Sequence, residues 1–230
     1  MLQFNADGRV AEIVINRPGA GNAFTGEMAR QLGQIMREAA QSADVVIIRG
    51  EGADFTIGRD RHEPKTASPF DAFRQISAAN AAMAAFPGIL ISKVRGRAFG
   101  FGVGLVMRSD IAFASEDAQF RLDEVEHGIP PMFIMEAMAD HLAPKHALEM
   151  VLSGRQLSAQ EAVRIGLLSQ AVSAATLNNA VDRFVDVLRG RDRRVVLACK
   201  RYLRASAKLP ADARSAFALV EQTEFALNKA

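Results

Sequence analysis

The chain has one cysteine, Cys199, one tyrosine, Tyr202, and no tryptophan. A single cysteine excludes an internal disulfide and any paired-cysteine metal site, and is compatible with a reducing, cytoplasmic setting. Excess charge of either sign is in short supply. The 28 Lys and Arg nearly cancel the 26 Asp and Glu, leaving a formal net charge of +2. That balance provides no field for nucleic acid, and one tyrosine provides no aromatic-basic surface for single strands. No apolar run approaches the roughly 18 residues that span a bilayer, so no membrane partner is expected. The N-terminus reads as strand rather than as a basic region before an apolar run, so no signal or transit peptide is expected. The four histidines show no HExxH spacing, and His62, His141 and His146 read as surface or capping residues. No serine sits in a GxSxG setting, which removes the nucleophile-elbow hydrolases.

What is present is enough to build a sizeable core: 230 residues, 49% of them hydrophobic. Runs at residues 2–4 and 10–15 flank the turn pair Asp7-Gly8 and predict a hairpin. Thr25 is placed to cap a helix whose apolar face is Met28, Leu32, Ile35 and Ala39. Residues 45–48, 89–94 and 111–114 are short apolar runs of the buried parallel-strand type. Between them lie a polar loop at 54–62, a helix-like stretch at 70–86 and a glycine-rich turn at 96–104 leading into a short helix. Strand and helix alternate, which indicates stacked βαβ units. Beyond Glu124 the pattern turns helical with little strand signal. A boundary near Gly190 divides a core of residues 1–190 from a helical segment, 191–230. The tract 189–194 (RGRDRR) is a charged hinge.

Three features carry chemistry. Gly96, Gly100, Gly102 and Gly104 directly follow a strand. Glycines there allow close backbone approach, and the start of a helix adds free N–H groups, so the turn suits a phosphate or an oxyanion. It is equally the composition of a plain tight turn. The spacing of Gly100, Gly102 and Gly104 does not match GxGxxG, which argues against a dinucleotide loop. The loop with Gly58, Arg59 and Asp60 also follows a buried strand, so both loops should emerge at one sheet edge, where α/β proteins bind ligands. Third, residues 120–131 (FRLDEVEHGIPP) hold Glu124 among other acids. A carboxylate there is either a proton shuttle in a desolvated pocket or an ordinary charged helix start.

Together these segments resemble the crotonase (enoyl-CoA hydratase/isomerase) superfamily from about Val10 to Val172. Residues 14–24 (VINRPGAGNAF) are similar to the family's NRP…NA segment, residues 45–60 to the strand and loop of its first oxyanion contact, and residues 89–117 to those of its second. The resemblance implies an α/β fold of ββα superhelical turns with a C-terminal helical appendage. It implies homotrimers, or trimers paired as hexamers, with 191–230 as the trimerisation segment. It implies an acyl-CoA thioester as ligand, with coenzyme A part of the substrate and no separate cofactor or metal. By that resemblance the thioester oxygen binds the main-chain N–H groups of Arg59 and Phe101, and Ala20, Asn22, Gly58, Asp60, Gly100, Gly102 and Gly104 line the substrate.

The acidic positions separate the family's activities. Its hydratases use two glutamates. Here the first falls on Gly104, while the second is Glu124, preceded by Asp123 in place of proline. One carboxylate can still move a proton and so shift a double bond, and the single-glutamate pattern with the run 128–133 (GIPPMF) resembles the family's enoyl-CoA isomerases more than its hydratases. A hydratase, decarboxylase or thioester hydrolase on the same platform, and a non-catalytic acyl-CoA-binding protein, are the alternatives. Gly19 stands where the family often has a basic residue near a CoA phosphate. Lys93, Arg95, Arg97 and Lys200 are the remaining basic candidates, and Phe70, Phe73, Met83, Met132 and Phe133 are candidates for an acyl pocket or for plain core.

Overall fold

The computed structural model describes residues 1–64 and 68–227. Strands β1 (Leu2–Asp7) and β2 (Val10–Ile15) form the expected hairpin. Asp7 pairs with Val10, so the two-residue loop is Gly8-Arg9, with Gly8 at φ +59°. Helix α1 (Gly26–Ser42) starts where the Thr25 hydroxyl accepts the Met28 N–H, and it buries Met28, Leu32, Met36 and Ala39. Next come β3 (Val45–Gly50), α2 (Pro69–Ala85) and β4 (Ile89–Val94), then β5 (Arg97–Phe99), α3 (Phe101–Arg108), β6 (Ile111–Ser115) and β7 (Gln119–Arg121). A 3-10 turn, Glu124–His127, leads into α4 (Met132–His141) and α5 (Pro144–Ser153). The chain continues through β8 (Leu157–Ser158), α6 (Ala159–Arg164), β9 (Gln170–Val172), α7 (Leu177–Arg189), α8 (Arg193–Ser206) and α9 (Ala213–Leu227). No described helix is long and apolar enough to cross a membrane.

The main sheet runs β1-β2-β3-β4-β6-β9, parallel except for the β1–β2 edge. Its inner strands are apolar on both faces because helices cover them, and the core under α1 and α2 is closed by fully buried Phe24, Phe55, Phe86 and Leu90. A second sheet, β5-β7-β8, departs from the sequence-based reading. It takes residues 97–99 out of the predicted glycine-rich turn, and α3 begins at Phe101, immediately after Gly100. By contacts the chain forms two compact units, Met1–Asp182 and Arg183–Ala230. In the second, α8 packs on α9, with the Tyr202 and Phe217 rings stacked at 5.4 Å and Arg201 paired to Glu221.

Beyond the strand ends, a strip of paired backbone crosses the molecule. The loop after β2 pairs with the loop after β3: Phe24 N–H donates to Gly58 O at 2.8 Å, Ile57 N–H to Gly21 O at 3.0 Å and Asp60 N–H to Phe24 O at 2.9 Å. That loop pairs in turn with the segment after β4, through Phe55 N–H to Arg95 O and Phe99 N–H to Thr56 O. β5 pairs with β7, and Gly100 N–H donates to Arg121 O at 2.9 Å. Asn22 ties the first two loops. Fully buried and at φ +57°, it accepts the Arg17 N–H and donates to Glu51 O at 2.9 Å and Asp54 O at 2.7 Å. Asp54 clamps the third segment through a bidentate pair with Arg97, which holds its carboxyl below the usual carboxylate range.

Asn22 therefore bears directly on stability. Asn22→Ala strands one buried carbonyl, Asp54 O, together with a part-buried carbonyl and a part-buried N–H, and a buried group left unsatisfied costs about 1–3 kcal/mol. The expected loss is about 1–3 kcal/mol of unfolding free energy, measured by denaturant titration. Asn22→Gly should lose nearly as much, although glycine relieves the positive φ.

Candidate functional site

Two loops of the strip touch through glycines. A Cβ placed on Gly58 (φ +97°) would lie 3.0 Å from Phe99 O and 3.6 Å from Gly100 Cα. Gly100 has φ +49° and ψ −117°, a conformation open in practice only to glycine, and it is the cap residue of α3. A Cβ there would meet Glu124 Oε1 at 2.7 Å. Thus the Glu124 carboxyl rests directly against Gly100, in the space a side chain would occupy.

The residue after each glycine offers an N–H. The bonds from Phe24 N–H to Gly58 O and from Asp60 N–H to Phe24 O bracket Arg59, so the Arg59 N–H turns to the opposite side. Phe101 opens α3, where the first N–H groups have no intrahelical acceptor and the helix dipole is positive. Neither N–H has a hydrogen-bond partner among the described residues. Side-chain packing fixes both segments: the Phe101 ring lies 4.8 Å from that of buried Phe24.

Glu124 stands at the head of the 3-10 turn, three residues beyond β7. Its Oε2 is buried and has no hydrogen-bond partner. Burial raises its pKa above the usual carboxylate range; its own backbone N–H opposes the shift, the neighbouring Asp123 charge adds to it, and Arg61 opposes it. A half-buried carboxyl whose pKa is raised, beside two free main-chain donors, has the make-up of a site that moves protons next to a developing oxyanion.

Other expected site residues are placed differently. The Arg59 side chain lies along its own loop, with Nη2 at 3.3 Å from Glu63 and Nη1 buried without a partner; burial lowers its pKa. The Glu63 carboxylate also accepts the Gly26 N–H at the start of α1. Asp60 is committed to Arg17 at 2.6 Å and to the His62 N–H, and the Arg17 contact holds its pKa low. Asn22 is fully buried, with its side-chain amide bonded to the loops. Gly102 is needed for packing, because a Cβ there would strike Thr56 Cγ2 at 2.8 Å. Gly104 is buried against Ile134 and the Arg108 guanidinium, which in turn holds Gly104 O, Phe133 O and Glu136. Ala20 lies in the 3-10 turn Pro18–Ala20, half-exposed.

Of the basic candidates, Lys93 reaches Glu12, Arg97 is held by Asp54, and Lys200 is buried in the second unit. Arg95 is exposed and donates to Ala174 O. Met83 is core, while Phe70, Phe73 and Met132 are exposed at 74%, 52% and 63%, so they form no part of the closed interior. The Phe73 and Phe133 rings stand 6.0 Å apart between α2 and α4. Sequence reasoning missed Arg61, which joins Asp123 and His127 to the loop after β3. Partners separated by over sixty residues leave no local signal.

Because its pKa is raised on folding, Glu124 stabilises the fold below its unfolded pKa, and that stability is lost as pH rises through the folded value. Glu124→Gln mimics the neutral acid. It should raise Tm at neutral pH by about 2–4 °C, with the gain vanishing towards about pH 4, read by calorimetry across that range.

Residues 5–226 match the family model for enoyl-CoA hydratase/isomerase. The mitochondrial enoyl-CoA hydratase domain-containing protein 3 of Mus musculus is 31% identical over 219 residues, covering 93% of this chain and 72% of that relative. The carnitinyl-CoA dehydratase of Proteus mirabilis (strain HI4320) is 29% identical over 221 residues, covering 90% and 82%. Among solved structures, the CoA complex of a Thermobifida fusca YX protein assigned to the enoyl-CoA hydratases superposes with a TM-score of 0.91 at 27% identity, covering 100% of this chain and 95% of that one. The α/β architecture is thus the crotonase one, and the chain belongs to the enoyl-CoA hydratase/isomerase family.

Proposed function

We propose that the protein moves a double bond along an acyl-CoA thioester, with Glu124 as its one proton shuttle. The observation that carries this reading is the Glu124 carboxyl lying against Gly100, half-buried, with one oxygen unpartnered and its pKa raised. With a 3-enoyl thioester in place, the carboxylate takes a proton from C2. The C–H electrons delocalise through the alkene and onto the thioester oxygen, where the N–H groups of Arg59 and Phe101 donate to the charge. The Glu124 carboxyl then returns the proton to C4, which leaves a 2-enoyl thioester of unchanged mass. Each main-chain donor is worth roughly 3–4 kcal/mol of barrier. Burial suits the shuttle, because a carboxyl with a raised pKa is both a better base and readily re-protonated.

Gly104 supports one shuttle over two. It bears no side chain, and the adjoining space belongs to Ile134 and Arg108. Hydration is the second reading, favoured by the hydratase and dehydratase names of the relatives. Coenzyme A enters as part of the substrate, and no further cofactor is invoked. Residues 191–230 are proposed as the trimer contact, for which exposed Leu203, Leu219 and Val220 provide apolar surface.

Incubation with a 3-enoyl-CoA and, separately, a 2-enoyl-CoA distinguishes the readings by product mass and absorbance. Migration without mass change is expected. Glu124→Gln should lower kcat by about 10²–10⁴-fold with KM little altered. A gain of one water would establish hydration instead.

A further inference from the structure

The turn that carries Glu124 is held from two sides. On one, Arg121 donates Nη2 to both carboxylate oxygens of Glu126, at 2.7 and 2.8 Å, and Nε to Gly154 O at 2.7 Å. On the other, Arg61 donates Nη2 to Asp123 Oδ1 at 2.7 Å and Nη1 to His127 Nε2. His127 Nε2 also stands 3.7 Å from Asp123 Oδ2. Asp123 and His127 bracket Glu124 in sequence, and Arg61 lies two residues beyond Arg59. A single guanidinium therefore bridges the loop that bears one free N–H and the turn that bears the carboxyl.

We propose that Arg61 is a positioning residue: it latches the Glu124 turn to the loop of Arg59, and its charge offsets that of Asp123 at the Glu124 carboxyl. The proposal rests on the reading of Glu124 as proton shuttle. Its physical content lies in opposed charges. Asp123 has the sign of ionised Glu124 and disfavours ionisation, whereas Arg61 favours it. The other charges around the turn are Glu126 with Arg121 and, on α5 packed against it, Lys145, His146 and Glu149, the last paired with Arg155. Arg61 is half-exposed, so its substitution removes no core packing.

A latch without an electrostatic role would behave differently. Cutting either partner would loosen the turn, admit water and lower the Glu124 pKa in both variants. The charge argument instead sends the two variants in opposite directions. Removing Arg61 takes away the favourable charge and leaves Asp123 unneutralised, so the pKa rises. Removing the Asp123 charge lowers it.

The test is a carbon-13 NMR titration of protein labelled at the glutamate side-chain carboxyl, with the Glu124 signal assigned by its absence in Glu124→Gln. Arg61→Gln should titrate about half a pH unit above the parent, a threefold change in proton affinity, and Asp123→Asn about half a unit below. Arg61→Lys, which keeps the charge, should stay close to the parent. In about 1 M salt the differences should shrink, because the pair is partly exposed. Movement of Arg61→Gln and Asp123→Asn in the same direction, or of neither, would overturn the proposal. The titration uses no substrate, so an error in the assigned reaction would leave its result unchanged.

Discussion

Two loops that leave neighbouring parallel strands meet where neither has a side chain, at Gly58 and Gly100. Both glycines hold positive φ; a Cβ on Gly58 would press on Phe99 O at 3.0 Å, and one on Gly100 would displace the Glu124 carboxyl. This close approach brings the segments of Arg59 and Phe101 together and leaves the gap that the Glu124 carboxyl enters. The rest of the molecule serves that contact. The paired strip of loops, locked by Asn22 and by Asp54 with Arg97, sets where Gly58 and Gly100 lie. The parallel sheet beneath, sealed by α1 and α2, sets where the strip begins.

The arrangement has an energetic cost, and the cost is where the chemistry resides. The half-buried Glu124 carboxyl, with its raised pKa, is an ionisable group without full compensation, and the unpartnered Nη1 of Arg59 is another unsatisfied polar atom. Gln31 Oε1, Asn80 Nδ2 and Ser115 Oγ are also buried without a partner among the described residues, whereas Ser92 and Ser109 bond to each other, Asp54 and Asp60 each hold an arginine, and Asn22 uses its amide on three backbone groups. What sets Glu124 apart is that its unpartnered atom belongs to an ionisable carboxyl lying against Gly100, the kind of uncompensated group found where catalysis competes with stability.

The amino-acid pattern made much of this legible. Period-two and buried runs marked β1, β2, β3, β4 and β6, Thr25 marked the start of α1, and glycines directly after strands marked the two loops. The sheet β5-β7-β8 was not legible, since strands of two or three residues have no periodicity of their own and exist only because distant segments pair. Nor did the sequence reveal what the side chains near the site do. The sequence did not show that Gly102 packs against Thr56 or that Asn22 ties two loops through its amide. Arg59 turns along its loop to Glu63, and Arg61 finds Asp123 across the fold. Such pairings depend on the relative placement of elements, which local sequence does not encode.

The central claim is that the Arg59 and Phe101 main-chain N–H groups converge on one oxygen beside Glu124. A crystal structure with a bound unreactive acyl-CoA analogue tests it most directly. The thioester oxygen should sit within about 3.2 Å of both nitrogens, with the carbon next to the carbonyl facing the Glu124 carboxyl. A thioester oxygen bound elsewhere, or a carboxyl turned away from that carbon, would contradict the account.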